Sequence, residues 1–352
     1  CDANREMERE LAAAAVTVIK NDGALPLQLT SESKVLMTVP YNNERAQMLM
    51  AWNRAKEAGL IPEGAEVDYV TFSKTSTIES LKTKLDWADT IIINSEISAT
   101  SRYNPSGSTY WLYNIPNQIC DYAAANGKKA IISSVDKPYD VQMYANANAI
   151  VAAYGCKGSS VDPTEALIGG ATGSAAAYGP NIIAAVEVIL GTFEAEGKLP
   201  VNIPVYDWEK NTYSTEIAYE RGHGLTYAAK EPIQPEVIAE GWSGYTTWKL
   251  LDNGTLIFTS SGQTEGGQTN LKNYWKVNGV LTLPWGAYAE QITKVVIEDG
   301  IHDLGQMAFY ELPNLTTVEL GADVTEIRNY CFKNCASLTT INLEGVDFIR
   351  EG

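Results

Sequence analysis

Few residues of this chain combine a reactive type with a spacing that could do chemistry. Glu96 and Arg102 follow the apolar run Thr90-Ile91-Ile92-Ile93, and in open α/β sheets ligand sites gather where strands end. A carboxylate and a guanidinium placed there could hold a polar ligand, or they could simply pair in a loop salt bridge. Asp136 and Asp140 flank Pro138 after another strand-like run; they could face the same cleft, although surface carboxylates are the favoured reading. His223 lies between Gly222 and Gly224 in a turn-like context, where a structural hydrogen bond is expected.

Other chemistries lack their parts. Gly169-Gly170-Ala171-Thr172-Gly173-Ser174 resembles a phosphate-cradling loop but has no Gly-Lys-Ser/Thr, so a mobile loop ahead of a helix is expected. There is no Gly-x-Ser-x-Gly elbow and no His-Glu-x-x-His. The five cysteines, Cys1, Cys120, Cys156, Cys331 and Cys335, form no Cys-x-x-Cys, and only His223 and His302 could add imidazoles. Zinc sites need close-spaced ligand pairs, so no metal site and no disulfide framework is expected, and the thiols read as small buried hydrophobes. No cofactor is implied.

The elements that must position these residues fall into an α/β pattern. Strand-length apolar runs occur at residues 35–39, 67–70, 90–93, 130–135 and 149–153, and helical stretches at 44–58, 78–88, 110–125 and 175–190. An opening helix rich in Glu, Ala and Arg covers residues 5–20 and stops at Asn21-Asp22-Gly23. Short buried strands separated by helical crossovers predict a layered α/β/α domain with a mostly parallel sheet, over residues 1–227 with its opening helix in 1–22. Residues 228–240, with two prolines and no period, read as a linker.

Beyond residue 241 the texture becomes Trp-, Thr- and Gly-rich. Residues 248–258 read as two strands around an Asn253-Gly254 turn, part of a β-rich cap over 241–290. Then Ile292-Thr293-Lys294-Val295-Val296-Ile297 recurs as Leu315-Thr316-Thr317-Val318-Glu319-Leu320 and again, at the same step, as Leu338-Thr339-Thr340-Ile341-Asn342-Leu343. Leu304 and Phe309 recur with that step at Ile327 and Phe332. An even period of this length is the signature of a short leucine-rich-repeat solenoid over 291–352. Trp248 and Trp285 sit in its alternating pattern and read as core; Trp242 and Trp275 stay open between core and sugar-stacking roles. The third copy stops at Gly352, before its Phe position. Cys1 therefore reads as the start of a fragment, the other reading being a lipid-bearing terminus.

Lys and Arg number 26 against 43 Asp and Glu, a formal charge of −17. That field repels phosphate backbones and anionic lipids, so nucleic acid is not an expected partner. No apolar run approaches the roughly 20 residues of a membrane span.

Five segments, in order, carry a family resemblance: Leu11 through Lys20-Asn21-Asp22-Gly23-Ala24-Leu25-Pro26-Leu27; Ala88-Asp89-Thr90-Ile91-Ile92-Ile93; Gly127-Lys128-Lys129-Ala130-Ile131-Ile132; Gly197-Lys198-Leu199-Pro200-Val201-Asn202-Ile203-Pro204; and Tyr219-Glu220-Arg221-Gly222-His223-Gly224-Leu225-Thr226-Tyr227. Together they resemble the C-terminal domain of glycoside hydrolase family 3, over residues 4–227. Residues 137–141 and 149–155 look most like its β-N-acetylglucosaminidase branch, with the β-glucosidase branch as alternative. From residue 241 the chain resembles BspA-like leucine-rich repeats of bacterial surface antigens, through Trp248 to Leu256, Pro284-Trp285 and Ile292 to Ile301.

The resemblance implies a nucleophilic Asp on an N-terminal (β/α)8 barrel, which this sequence does not contain. In the first branch the proton donor is also on the barrel. In the second, a Glu shortly before an Asp-Arg pair donates the proton; Glu96 and Arg102 are the nearest counterpart, as acid or sugar contacts, but Ser101 stands where the Asp would be. The implied function is the accessory part of a bacterial β-glycosidase, extracellular or at the cell surface and inactive alone. Carbohydrate would be its partner together with the barrel, and the repeats would take a protein or glycan. The alternative is a surface adhesion protein on a degenerate hydrolase-like scaffold.

Overall fold

The computed structural model describes residues 2–155, 160–161, 177–264 and 269–351, in two compact units, Cys1–Ile233 and Gln234–Gly352. The first unit opens with helix α1 (Asp2–Ala15) and strand β1 (Thr17–Asn21). The opening helix thus ends at Ala15, short of the expected stop. Thr17, Val18 and Ile19 are β-branched and favour the pleated backbone, and β1 pairs antiparallel with β6 (Ala149–Ala152), closing one sheet edge.

Between them run β2 (Lys34–Val39), α2 (Asn42–Glu57), β3 (Glu66–Thr71), α3 (Ile78–Trp87), β4 (Thr90–Ser95), α4 (Trp111–Ala125) and β5 (Lys129–Ser134). The sheet order is β1-β6-β5-β4-β2-β3, and every pairing except that of β1 is parallel. Alternate side chains serve opposite layers. Val35, Met37, Ile92, Ile131 and Val151 join one core with α2 and α5 (Pro180–Leu190). Leu36, Ile91, Ile93, Ile132 and Ile150 join the other with α3 and α4. Buried Glu187 of α5 is pinned between Arg9 of α1 at 2.9 Å and Arg54 of α2 at 3.6 Å, so one ion cluster fastens three helices. Strands β7 (Ser160–Val161) and β8 (Ala177–Tyr178) pair antiparallel, and β9 (Ile203–Asp207) with β10 (Thr212–Tyr219) forms a hairpin. The sequence predicts a helix from residue 175; the described helix starts at Pro180, whose fixed φ suits a first helical position.

In the second unit, β11 (Val237–Ser243), β12 (Thr246–Leu251) and β13 (Thr255–Ser260) form an antiparallel meander. Residues 237–240, read as linker, are thus sheet. Gly254 in the β12–β13 turn has φ +81°, and a Cβ there would lie 2.4 Å from the Gln291 carbonyl oxygen; only glycine fits. A small hairpin follows, β14 (Lys276–Val277) with β15 (Val280–Leu281). The repeats are β16 (Lys294–Ile297), β17 (Asp303–Leu304), β18 (Thr317–Leu320), β19 (Glu326–Ile327), β20 (Thr340–Ile341) and β21 (Phe348–Ile349). β13, β16, β18 and β20 stack in parallel, Lys294 opposite Thr317 and Thr317 opposite Thr340. β17, β19 and β21 form a second parallel ladder, in which Asp303 pairs with Glu326 and Glu326 with Phe348. The last step of this ladder is one position shorter than the first, because the stretch from Leu343 to Val346 lacks one residue relative to that from Leu320 to Val324.

An aromatic spine fills the solenoid. Fully buried Trp285 lies edge-on to Trp248 and Phe258 and stacks on Phe309, which stacks on Phe332 at 5.2 Å. Its indole donates to the Ala308 carbonyl at 3.1 Å. Trp242 and Trp275 are instead exposed.

Candidate functional site

Because β2, β4, β5 and β6 are parallel neighbours, the residues that follow them share one edge of the sheet. Ser95, the last residue of β4, lies opposite Ser134, the last of β5. The chain then bends through a short helical turn, Pro138–Asp140, which returns Asp140 beneath that edge. Its carboxylate accepts from the Ser95 and Ser134 hydroxyls, each at 2.5 Å, and the Ser95 hydroxyl also lies 2.5 Å from that of Tyr144. Asp140 is fully buried, which corrects its reading as a surface carboxylate; Asp136 is half-buried. Burial pushes the Asp140 carboxyl up to about 7, the Ser134 and Ser95 hydrogen bonds pull it down, and the negative Asp136 adds to the rise. The Tyr144 hydroxyl is driven far above its ordinary value by burial and by the Asp140 charge.

Glu96 follows β4 directly and is buried rather than solvated. Arg102 donates to the backbone carbonyl of Glu96, and the Lys137 ammonium donates to the Ser98 carbonyl at 3.0 Å. The loop between them is therefore clamped from two sides. A third buried carboxylate, Glu44 at the start of α2, accepts from the Asn94 side chain at 2.9 Å. Beside this edge the β9–β10 hairpin packs Tyr206 and Trp208 against Tyr103, at ring distances of 4.8 and 6.0 Å.

The sequence reading missed the Ser95–Asp140–Ser134–Tyr144 cluster. The signal available was two small polar residues ending two apolar strands, but their partner arrives from another part of the chain. His223 takes its expected structural part: its Nε2 donates to the Ile19 carbonyl at 2.9 Å, and its ring leans on Tyr219. It thereby ties the closing segment to β1. Gly224 is required beside it, since a Cβ would lie 2.2 Å from the Gly197 carbonyl oxygen.

A cleft of about 710 Å³ opens at the amino ends of the same strands, with Lys34, Glu66, Asp86, Trp87, Asp89 and Lys128 in its wall. Its charges serve the fold: Asp89 accepts from the Lys34 backbone NH at 2.7 Å, and Lys128 donates to the Asp86 and Ala88 carbonyls. Among the described residues no group of three or more His, Cys, Asp or Glu could hold a metal ion, and no helix is long and apolar enough to cross a membrane. Cys120 and Cys331 are buried and Cys335 is half-buried; Cys1 and Cys156 lie outside the described residues, as does the Gly169–Ser174 loop.

Comparison with known proteins gives a repeat-family match and several similar proteins. Residues 286–352 match the BspA type leucine rich repeat region, in 6 copies. Over 222 residues the chain is 26% identical to Beta-hexosaminidase A of Pseudoalteromonas piscicida, a match covering 57% of this chain and 33% of that protein. The chain thus spans about a third of the length of this curated relative. Among solved structures, a fungal multi-domain GH3 beta-N-acetylglucosaminidase is similar at 20% identity and a TM-score of 0.39, over 58% of this chain and 20% of that one. A leucine-rich repeat protein from Eubacterium ventriosum is similar at 22% identity and a TM-score of 0.26, over 30% of this chain and 26% of that one. The chain joins an α/β domain resembling the C-terminal domain of family 3 glycoside hydrolases to BspA-type leucine-rich repeats.

Proposed function

We propose that the α/β unit is the accessory half of a β-glycosidase that removes terminal β-linked N-acetylglucosamine, and that the repeats hold this enzyme at a surface or partner outside the cell. One observation carries this reading. Hydrolysis with retention needs two carboxyl groups about 5–5.5 Å apart, both reaching one glycosidic bond. At the carboxyl edge of this sheet, Asp140 is engaged by two serine hydroxyls and Glu44 by Asn94, both inside the fold. The described residues also form no (β/α)8 barrel. The nucleophile then comes from another domain, and Glu96 and Arg102 act as sugar contacts at the rim that faces it.

The test is turnover of aryl β-N-acetylglucosaminide and aryl β-glucoside by the 352-residue chain and by a barrel-bearing parent polypeptide. The chain alone is expected to be inert, and the parent to prefer the N-acetylglucosaminide. Glu96→Gln in the parent should raise KM while kcat stays within about tenfold, the pattern of lost uniform binding. Turnover by the chain alone, or a parent inert on both substrates, refutes the reading. A collapse of kcat in the Glu96 variant would make Glu96 the acid and the enzyme a β-glucosidase.

A second reading, surface adhesion, draws on the solenoid. Thr316 and Thr339 each donate through their backbone NH to the threonine one rung earlier, and stacked rungs of this kind build extended binding faces.

A further inference from the structure

The second unit contains a concavity of its own. Three elements meet there: the β11–β12 turn at Tyr245, the segment 270–275 that runs beside β17, and Arg328 just after β19. Together they enclose about 430 Å³, inside the range of roughly 300–1,000 Å³ usual for small-molecule sites. The segment is held rigidly. Asn270 bridges to Asp303, the Leu271 NH donates to the Asp303 carbonyl at 3.0 Å, and the Asn273 side-chain oxygen accepts from the Gln306 NH at 2.7 Å.

Its lining is unlike a core and unlike a plain surface. Trp275 stands at the cleft with 60% of its surface exposed, whereas Trp248 and Trp285 are packed into the aromatic spine. Arg328 pairs with Asp303 through one terminal nitrogen, yet its Nε is buried and has no hydrogen-bond partner among the described residues. The Asn270 side-chain oxygen is likewise buried without a partner among them. Unmet polar atoms of this kind are costly; both are closed off from solvent, and Asn270 and Arg328, each half-buried, reach the cleft through their other atoms. Lys272 adds an exposed ammonium.

We propose that this cleft binds a glycan, one pyranose ring stacking on the Trp275 indole while its hydroxyls meet Asn270, Asn273, Arg328 and Lys272. A hydroxyl both donates and accepts, so one class of group suits the mixed amide, guanidinium and ammonium groups of the lining, and the C–H face of the ring suits an exposed indole plane. The proposal deepens the reading of the repeats as the binding element and needs no hydrolytic role for the α/β unit.

The experiment titrates the full chain with four oligosaccharides by calorimetry: tetramers of β-1,4-linked N-acetylglucosamine, β-1,4-linked glucose, β-1,4-linked mannose and α-1,4-linked galacturonic acid. At least one should bind. Trp275→Ala should weaken that binding tenfold or more and Trp275→Phe by less, with unchanged circular dichroism and melting temperature. Trp242→Ala and Trp208→Ala, at the two other exposed indoles, should bind as the unaltered chain does. Failure of all four sugars at millimolar concentration, an unaffected Trp275→Ala, or a loss confined to Trp208→Ala would each overturn it. None of these outcomes touches turnover by the barrel-bearing parent, so the two proposals fail separately.

Discussion

Strand β4 lies between β2 and β5, and β18 lies between β16 and β20, yet the two central strands are specified differently. The neighbours of β18 are copies of itself, one repeat before and one repeat after. Those of β4 lie across helical crossovers of unrelated sequence, and β1, from the opening stretch of the chain, caps β6. A solenoid's stability is a sum of nearest-neighbour contacts; a wound sheet stands on contacts between distant segments. A side chain in the first unit therefore answers to partners far off in sequence, while one in the second answers to the rung above and the rung below.

The sharpest way to break this contrast is to remove a shared rung. Phe309 is fully buried, edge-on to Phe258 and stacked between Trp285 and Phe332. Phe309→Ala should cost about 3–5 kcal/mol, measured by urea denaturation. Amide exchange should show the loss of protection centred on β13, β16, β17 and β18. A loss spread evenly over residues 234–351 would mean that the second unit is not the nearest-neighbour stack its register describes.

The same contrast decides which elements are legible in the sequence. The repeats announce themselves because each apolar position recurs; the second short strand of each unit, β17, β19 and β21, was not foreseen, and the shortened step to β21 arises from a single absent residue. In the first unit five strands and most helices were legible as separate runs, since each is long enough to show its own pattern. Strand β1 was not: residues 16–20 follow an Ala-rich helix without a break, and only pairing with Ala149–Ala152, far along the chain, makes them a strand. Asp140 was misread for the same reason. Nothing beside Pro138 says that Ser95, from the end of another strand, will arrive to bury it. Glu96 and Arg102 were found as a neighbouring pair, but their contact runs through a backbone carbonyl, which no residue type encodes.

The buried carboxylate gives the next test, one that belongs to the first unit alone. Asp140 titrates at about 7 in the folded protein against an ordinary 3.8. The native state thus holds this proton more tightly than the unfolded chain, so its contribution is complete below about pH 3.8 and drains away as pH rises through about 7. The span corresponds to about 4 kcal/mol at most. Asp140→Asn keeps a polar group among the hydroxyls but cannot titrate. Urea melts at pH 5 and pH 8 should show the unaltered chain losing stability relative to this variant; parallel pH profiles would show that Asp140 does not titrate in this range.

A smaller effect is expected where the first unit closes on itself. His223→Ala deletes the hydrogen bond to the Ile19 carbonyl and the contact with Tyr219, a loss of about 1 kcal/mol. Amide exchange should rise first along β1 and in residues 222–227, segments from opposite ends of the first unit's sequence. If exchange rises only around residue 223, the tie is local, and the distinction between distant and neighbouring contacts loses its clearest case.

The smallest effect belongs to a surface rung of the solenoid. Lys294 of β16 and Glu319 of β18 approach to 2.7 Å, with both side chains well exposed. The strand register sets Lys294 beside Thr317 and Val296 beside Glu319, so the pair crosses one rung diagonally. Water and salt screen such pairs. A double-mutant cycle of Lys294→Ala with Glu319→Ala should give a coupling of about 0.2–0.5 kcal/mol at low salt, fading by about 0.5 M. A coupling several times larger would mean that charge along the strand face, as well as the aromatic spine behind it, holds successive rungs in register; a coupling of zero leaves register to Phe258, Phe309 and Phe332.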